Sequence, residues 1–304
     1  MQDQDRLLDD AIARSGYPLE QRVEATCHEM LLEVSANAPM TDPVSGKARE
    51  TDFFARWAEP QTTDRMRICP SIIAELYIEC VRTETPLIFY EKPSTYVECG
   101  AMPTLFGFPL YLEDPPGSSG FGRLEDYAEV SWWSTRPDVA TQWNGFERKQ
   151  DKKGQPYFVT SQRHDIHTTL EKLVNRAEAA AEKCVLPWQI ESAFMGGWLM
   201  FIRPLLVVEG ELLSSVLGPE GQGREPREHV HYIRKAIWKG RHVAWFIDVV
   251  TEAGLRGYLT RLKQRMEKLE LFCMQNTERV QGALASKSAQ HLGTIRPMSC
   301  LRAE

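Results

Sequence analysis

The segment that most constrains the fold is an apolar strand that carries an acid near its end, IIAELYIECV at residues 72–81. Side chains of a β-strand alternate between two faces. One face holds Ile72, Leu76 and Cys80 and is small or apolar throughout, which indicates that it is buried. The other face carries Glu79, and a lone carboxylate in a central strand is costly unless it is paired, hydrated or bound to a metal. The strand therefore predicts a buried sheet in which Glu79 has a specific partner.

A second acid stands in the strand predicted before it, ARETDFFARW at residues 48–57. Alternation places Asp52 on the same face as Phe54 and opposite Phe53. Aspartate is disfavoured inside strands, so its presence beside two phenylalanines requires an explanation. If the two strands are neighbours, Asp52 and Glu79 can converge. Two close carboxylates repel each other, and a divalent cation relieves that repulsion through hard oxygen ligands.

A third acid lies on the predicted amphipathic helix PLEQRVEATCHEM. Pro18 suits its first turn, where a missing N–H does no harm. At about 100° per residue, Glu20 points within about 60° of Val23 and Cys27, on the stripe expected to face the sheet. A glutamate in the first turn is also favoured by the helix dipole. Both explanations of Glu20 stay open.

Composition limits the class of protein. A chain of 304 residues, 42% of them hydrophobic, is long enough for one large domain or two small ones. The net charge of −6 argues against a protein that coats nucleic acid through bulk electrostatics, while 36 Lys and Arg allow a local basic groove. Seven cysteines without a C-x-x-C pair indicate buried thiols in a reducing compartment. The acidic N-terminus and the short apolar runs predict a cytoplasmic protein without a membrane segment.

The order of predicted elements places the chain in the α/β class. Periodicity predicts a helix, three strands, a second helix at His167–Lys183 and a strand at Leu205–Val208. From about 93 to 163 Pro, Gly and Ser interrupt the pattern, which indicates an insertion or a small subdomain. We expect one domain over residues 1–270, with a mixed central sheet flanked by helices. Glycines at 218–223 indicate a flexible connector.

A long helix is predicted over residues 255–285, as a C-terminal extension. Its apolar residues recur at alternating spacings of three and four, which is a short heptad seam: Leu259, Leu262, Met266, Leu269 and Cys273. Such a seam suits a helix packed on its own domain or a dimerising coiled coil. The helix is therefore a candidate oligomerisation element, and the polar tail at 286–304 is predicted to be mobile.

The segments GYPLE, GKARETD and LYIECV, in this order, resemble the PD-(D/E)XK nuclease superfamily, the restriction-endonuclease-like fold. Its members have a helix–three strands–helix–strand core whose metal site is built from a helix Glu, a strand Asp and an E-x-K strand. The resemblance covers residues 16–89. It implies that Glu20 is the helix acid, Asp52 the metal-bridging acid and Glu79 the second metal ligand. The backbone carbonyl of Cys80 would complete the inner shell, and Mg²⁺ or Mn²⁺ would be the cofactor.

Val81 departs from the family pattern, because it stands where the family has its E-x-K lysine. That lysine orients the attacking water and screens charge on the phosphate, and valine can do neither. Arg82 points to the opposite face, and its guanidinium cannot act as a base. A lysine from another element can replace the missing group, and four are candidates: Lys47, Lys92, Lys172 and Lys183.

Two functional hypotheses follow. With a displaced lysine, the chain is a metal-dependent endonuclease that hydrolyses DNA, and many relatives of this kind act in bacterial defence against foreign DNA. Without a lysine, it is a catalytically degraded nuclease fold that binds nucleic acid or protein as a subunit of a larger complex. A partner or a second copy would then use the helix at 255–285.

Histidines and basic runs give weaker signals. His164 with His167, and His229 with His231, have spacings that zinc sites use, but we interpret both pairs as surface histidines. The run ERKQDKK at 147–153 is a candidate contact for nucleic acid, although a solvated face would explain it equally well. A second such run concentrates Arg224, Arg227, Arg234, Lys235, Lys239 and Arg241.

Overall fold

The structure, a computed structural model, is an α/β arrangement in which helices flank a large mixed sheet. It describes residues 7, 11–12, 15–41, 48–58, 71–93, 105–107, 111–113, 121–123, 138–161, 164–185, 198–218 and 221–280.

The elements follow in chain order. The helices are α1 (Tyr17–Glu29), α2 (His164–Val185) and α3 (Glu252–Gln275). Before α2 the strands are β1 (Glu33–Thr41), β2 (Ala48–Ala58), β3 (Ser71–Arg82), β4 (Leu87–Pro93), β5 (Leu105–Gly107), β6 (Tyr111–Glu113), β7 (Phe121–Arg123), β8 (Asp138–Gln150) and β9 (Pro156–Ser161). After α2 they are β10 (Trp198–Glu209), β11 (Leu212–Gly218), β12 (Gly221–Pro226), β13 (His229–Trp238) and β14 (Arg241–Thr251).

The large sheet has the strand order β1-β2-β3-β10-β14-β13-β8-β4-β11-β12. β1, β2 and β3 form an antiparallel meander, and β10 joins β3 in parallel. β14 is parallel to β10 and forms a hairpin with β13. Outside this order, β5 pairs with β10 and β9 pairs with β8. β6 and β7 form a separate two-stranded sheet. A parallel pair requires a crossover, and the chain between β3 and β10 includes α2.

One face of the sheet is covered by α1 and α3. The buried residues of α1 are Leu19, Val23 and Cys27, and they share a core with Ile78 of β3 and Leu205 of β10. The whole heptad seam of α3 is buried in the same core. The seam therefore packs on its own domain, which accounts for its spacing without a partner helix.

The other face holds α2. Leu170 and Leu173 share a second core with Leu206 of β10, and that core extends to Phe89 of β4 near the far end of the strand order. α2 itself packs across β3, β10, β14 and β13, which are consecutive in the strand order. The helix is held on the same face as Tyr77 and Val81 of β3.

Two regions differ from expectation. The predicted connector at 218–223 is wrong, because residues 221–226 form β12 and pair with β11. Main-chain hydrogen bonds need no side chains, and an edge strand tolerates glycine. Within the region predicted as an insertion, β8 pairs with β4 and β13 in the main sheet. The N-terminal and C-terminal tails lie largely outside the described residues, and among the helices described none has the length and apolarity needed to cross a membrane.

Gly210 connects β10 to β11 and lies against the end of β3. Its φ is +152°, and a Cβ there would sit 2.7 Å from the backbone oxygen of Thr83. We expect Gly210→Ala to lower the free energy of unfolding by about 2–3 kcal/mol, from backbone strain and a clash with main chain. Urea denaturation measures this loss.

Gly154→Ala is the matched control for this prediction. Gly154 also has a positive φ, +75°, but no atom lies within 4 Å of its added Cβ. It should cost about 1 kcal/mol, since only the backbone conformation is penalised. Equal losses in the two variants would contradict the close approach to Thr83.

Candidate active site

Adjacent strands bring two of the predicted acids together near one end of β3. β2 and β3 are antiparallel, with Phe53 opposite Ile78. One further step of this register sets Asp52 beside Glu79. The amide N–H of Cys80 donates a hydrogen bond of 2.8 Å to Oδ2 of Asp52. Asp52 is therefore held by the backbone of the strand that carries Glu79.

Helix α2 supplies a lysine to this pair of acids. Lys172 lies about two turns into the helix, on the side that faces the sheet. Its Nζ is 2.7 Å from Oε2 of Glu79 and 4.0 Å from Oδ1 of Asp52. The side chains of Lys172 and Glu79 are 17% and 4% exposed, so the ion pair is largely shielded from solvent. The amine of Lys172 thus lies beside the two acids, although β3 has a valine rather than a lysine at position 81.

The other candidate lysines are placed differently. Lys92 lies on β4 and is exposed. Lys47 and the side chain of Lys183 fall outside the described residues. Val81 itself packs toward α2 with the second core. Lys172 is therefore the candidate that the structure brings to the acids.

Among Asp52, Glu79 and Lys172, the side chain of Glu79 is the most deeply buried. Its Oε1 is buried and has no hydrogen-bond partner within the described part of the chain. Burial and the nearby Asp52 raise the pKa of Glu79 to about 8, although Lys172 opposes the change. Burial also raises the pKa of Asp52, against the Cys80 N–H and Lys172. A further cation at the site would favour the ionised form of both carboxyl groups.

The donor atoms are of the chemical type that divalent metals bind. Mg²⁺ and Mn²⁺ prefer carboxylate and carbonyl oxygens. Oδ1 of Asp52 and the buried Oε1 of Glu79 are such atoms. The N–H and C=O of one strand residue point to the same side, so the carbonyl of Cys80 faces the side on which its N–H meets Asp52. A cation would satisfy the buried oxygen of Glu79.

Two more charged groups, Glu20 and Arg176, lie near the two acids. Oε1 of Glu20 lies beside the first turn of α1, close to Gly16. Burial and then Asp52 raise the pKa of Glu20, so its carboxyl belongs to the same electrostatic cluster, at its edge. Arg176 lies one turn after Lys172, is attracted by Glu79 and has its pKa lowered by burial. The sequence interpretation missed Arg176, although its i, i+4 spacing from Lys172 is visible.

The interpretation of His229 and His231 as surface residues is wrong. Their side chains are 16% and 15% exposed, and both contact the fully buried Asp248. Although burial opposes it, the hydrogen bonds from the histidines hold the pKa of Asp248 well below its usual range. Burial lowers the pKa of His231. An aspartate inside the apolar strand HVAWFIDVV is the same signal that singled out Asp52, and it was overlooked.

The first basic run lies at the tip of the β8–β9 hairpin. Lys149 pairs in register with Tyr157, and Arg148 with Phe158. Tyr157 and Phe158 are 46% and 58% exposed. The tip therefore presents basic and aromatic side chains together, including Lys152 and Lys153.

In the second run, acids neutralise part of the charge. Nε of Arg227 lies 3.6 Å from Oε2 of Glu91, and Nζ of Lys239 lies 2.6 Å from Oε2 of Glu182. Arg234 contacts the exposed His167. This surface has less uncompensated charge than its sequence indicates.

Comparisons with known proteins identify no relative. No protein-family model, curated protein or solved structure matches the chain. The function is therefore inferred from the cluster of Asp52, Glu79 and Lys172 and from its setting in the fold.

Proposed function

We propose that this chain is a divalent-metal-dependent nuclease that hydrolyses DNA phosphodiester bonds, on a restriction-endonuclease-like core. The observation that carries the proposal is the contact of Lys172 with both Glu79 and Asp52. Val81 stands at the position of the family's E-x-K lysine, so β3 has no amine there. Lys172 supplies an amine beside the two acids instead. In this nuclease, α2 supplies through Lys172 the amine that β3 lacks.

Each residue has a distinct role in the proposed reaction. Asp52, Glu79 and the carbonyl of Cys80 would hold Mg²⁺ or Mn²⁺. When bound, the ion lowers the pKa of a coordinated water and neutralises charge on the scissile phosphate. Lys172 is positioned by Glu79, and its ammonium can orient the attacking water and stabilise negative charge that develops on the phosphate. Glu20 adds negative charge at the edge of the site, which favours cation binding.

The order of elements supports the choice of core. α1 precedes the meander β1–β3, and α2 precedes β10, which is parallel to β3. This is the helix–three strands–helix–strand order of the family that the sequence resembles. The acids lie on β2 and β3 of the meander, as that resemblance requires.

The β8–β9 hairpin is the proposed contact for DNA. The hydroxyl of Thr85 donates to the carbonyl of Phe146 at the base of the hairpin. Thr85 follows Glu79 by six residues, a chain distance of at most about 20 Å. The base of the hairpin thus lies within about 20 Å of the acids along this connection, although β10, β14 and β13 separate β8 from β3 in the sheet. Its lysines and arginine can contact phosphates, and its exposed aromatic rings can stack on bases.

A cleavage assay tests the proposal. Supercoiled plasmid and linear duplex DNA are incubated with the chain and Mg²⁺ or Mn²⁺, and chelator is added to a parallel sample. We expect metal-dependent cleavage by the parent chain and loss of about a thousandfold or more in Asp52→Asn, because the amide cannot hold the cation as the carboxylate does. Glu33→Gln is the matched control, since Glu33 is exposed on β1.

Two results would count against the nuclease. Cleavage that persists in Asp52→Asn would place the activity elsewhere. A folded parent chain that binds metal and DNA without cleaving would favour the alternative function, a degraded nuclease fold that acts as a binding subunit.

A further inference from the structure

A second polar cluster lies on β13 and β14, beneath α3. His231 is directly opposite Asp248 in the antiparallel pair, and His229 is two residues from His231 on the same face of β13. Residues at i and i+2 on one strand, together with the cross-strand partner, point to a common position. The fold therefore directs two imidazoles and one carboxylate to one point.

The distances between these groups are short. Nε2 of His229 and Nδ1 of His231 lie 3.0 Å and 2.8 Å from the same oxygen, Oδ1 of Asp248. The three candidate ligand atoms all lie within 4.8 Å of one another. A tetrahedral zinc site with bonds of about 2.0–2.1 Å separates its ligands by about 3.3 Å. The two histidine–aspartate distances are thus within about half an ångström of the spacing in such a site.

The second carboxylate oxygen of Asp248, Oδ2, is held by a residue of α3. The hydroxyl of Tyr258, on α3, donates a 2.7 Å hydrogen bond to Oδ2 of Asp248. Asp248 and Tyr258 are fully or almost fully buried, whereas the two histidines are partly accessible. Asp248 is therefore held by α3, and what solvent access the cluster has is at the imidazoles. An outer hydrogen bond of this kind orients a metal-binding carboxylate.

We propose that His229, His231 and Asp248 form a transition-metal site for a cation of the Zn²⁺ class, with water in the fourth position. Two imidazole nitrogens and one carboxylate oxygen are a ligand set that Zn²⁺ takes in open sites. The carboxylate supplies one negative charge against the divalent ion. Arg203 and Arg265 lie near the cluster and repel a cation, so we expect weaker binding than at a fully anionic site.

This site is separate from the proposed nuclease centre. In register, Asp248 is beside Leu205 of β10, and Leu205 is beside Ile78 of β3. Ile78 and Leu205 belong to the core beneath α1 and α3, whereas Glu79 faces α2. The two clusters therefore lie on opposite faces of the sheet, two strand spacings apart. The zinc proposal holds or fails independently of DNA cleavage.

Cobalt titration tests the site, because Co²⁺ replaces Zn²⁺ and absorbs visible light strongly in tetrahedral coordination. The chelator-treated Asp52→Asn variant is used, so that the acidic centre does not contribute. We expect one Co²⁺ per chain with a tetrahedral spectrum, displaced by Zn²⁺. His231→Gln should weaken binding at least about 100-fold, and Tyr258→Phe about tenfold.

His242→Gln is the matched control, because His242 is exposed on β14. It should bind Co²⁺ as the parent does. Failure of the folded protein to bind Co²⁺ would overturn the proposal and leave the cluster as a hydrogen-bonded network. A tetrahedral spectrum that survives in His229→Gln combined with His231→Gln would equally overturn it. The parent titration needs no substitution at the cluster, so a variant that fails to fold does not decide the result.

Discussion

Lys172→Met is expected to lower metal-dependent DNA cleavage by about 10²- to 10³-fold, the loss that follows removal of one group that stabilises charge in a transition state. Methionine keeps an unbranched apolar stem, so packing of α2 should change little. The amine acts on charge that develops in the transition state, so the loss should fall on kcat more than on KM. Single-turnover cleavage of a labelled duplex measures it, with Lys92→Met on β4 as the matched control.

Moving the lysine to β3 tests whether position is what matters. Val81 lies two residues from Glu79 on the same strand face and packs toward α2. A lysine there would enter the site from the strand, as in the E-x-K pattern. We expect Val81→Lys to recover at least about tenfold of the activity lost in Lys172→Met. Undiminished cleavage by Lys172→Met alone would show that the amine has no part in the reaction.

A rise in pH from 6 to 8 is expected to destabilise the metal-free protein by about 2 kcal/mol through Glu79 alone. Burial and Asp52 raise the pKa of this carboxyl from 4.5 to about 8 in the folded chain. Between these values the folded state binds more protons than the unfolded state, so stability falls as pH rises. Urea denaturation at several pH values measures the slope.

Glu79→Gln and added metal are the controls for this pH effect. The amide does not titrate, so the variant should lack this part of the slope. Mn²⁺ binds the ionised carboxylate and should stabilise the parent increasingly as pH rises. Parallel slopes in the parent and Glu79→Gln, without metal, would contradict the raised pKa of Glu79.

The local patterns of the sequence predict much of the site. Strand alternation places Glu79 on the face opposite the apolar stripe, and the structure agrees. An aspartate among phenylalanines singled out Asp52, which lies beside Glu79. Both inferences depend on periodicity within one strand and on neighbouring strands, which are short-range properties. The pairing of β2 with β3 follows from their succession in the chain, because consecutive strands are usually neighbours in a sheet.

The choice of lysine could not be made in the same way. Lys172 reaches Glu79 because α2 packs across β3, β10, β14 and β13, which come from both halves of the chain. No local pattern contains this information. The buried network of Asp248 was missed for another reason. Its histidines follow a glycine-rich segment whose sequence predicts a flexible connector, whereas residues 221–226 of that segment form β12.

The attachment of α2 also has a mechanical consequence. β9 ends at Ser161, and α2 begins three residues later at His164, so tension on the hairpin is transmitted to the helix that carries Lys172. A displacement of α2 by one residue rise, about 1.5 Å, would break its 2.7 Å contact with Glu79. A lysine on β3 would move together with its glutamate. With the amine on a separate element, the proposed nuclease would couple DNA binding at the hairpin to the contact between Lys172 and Glu79.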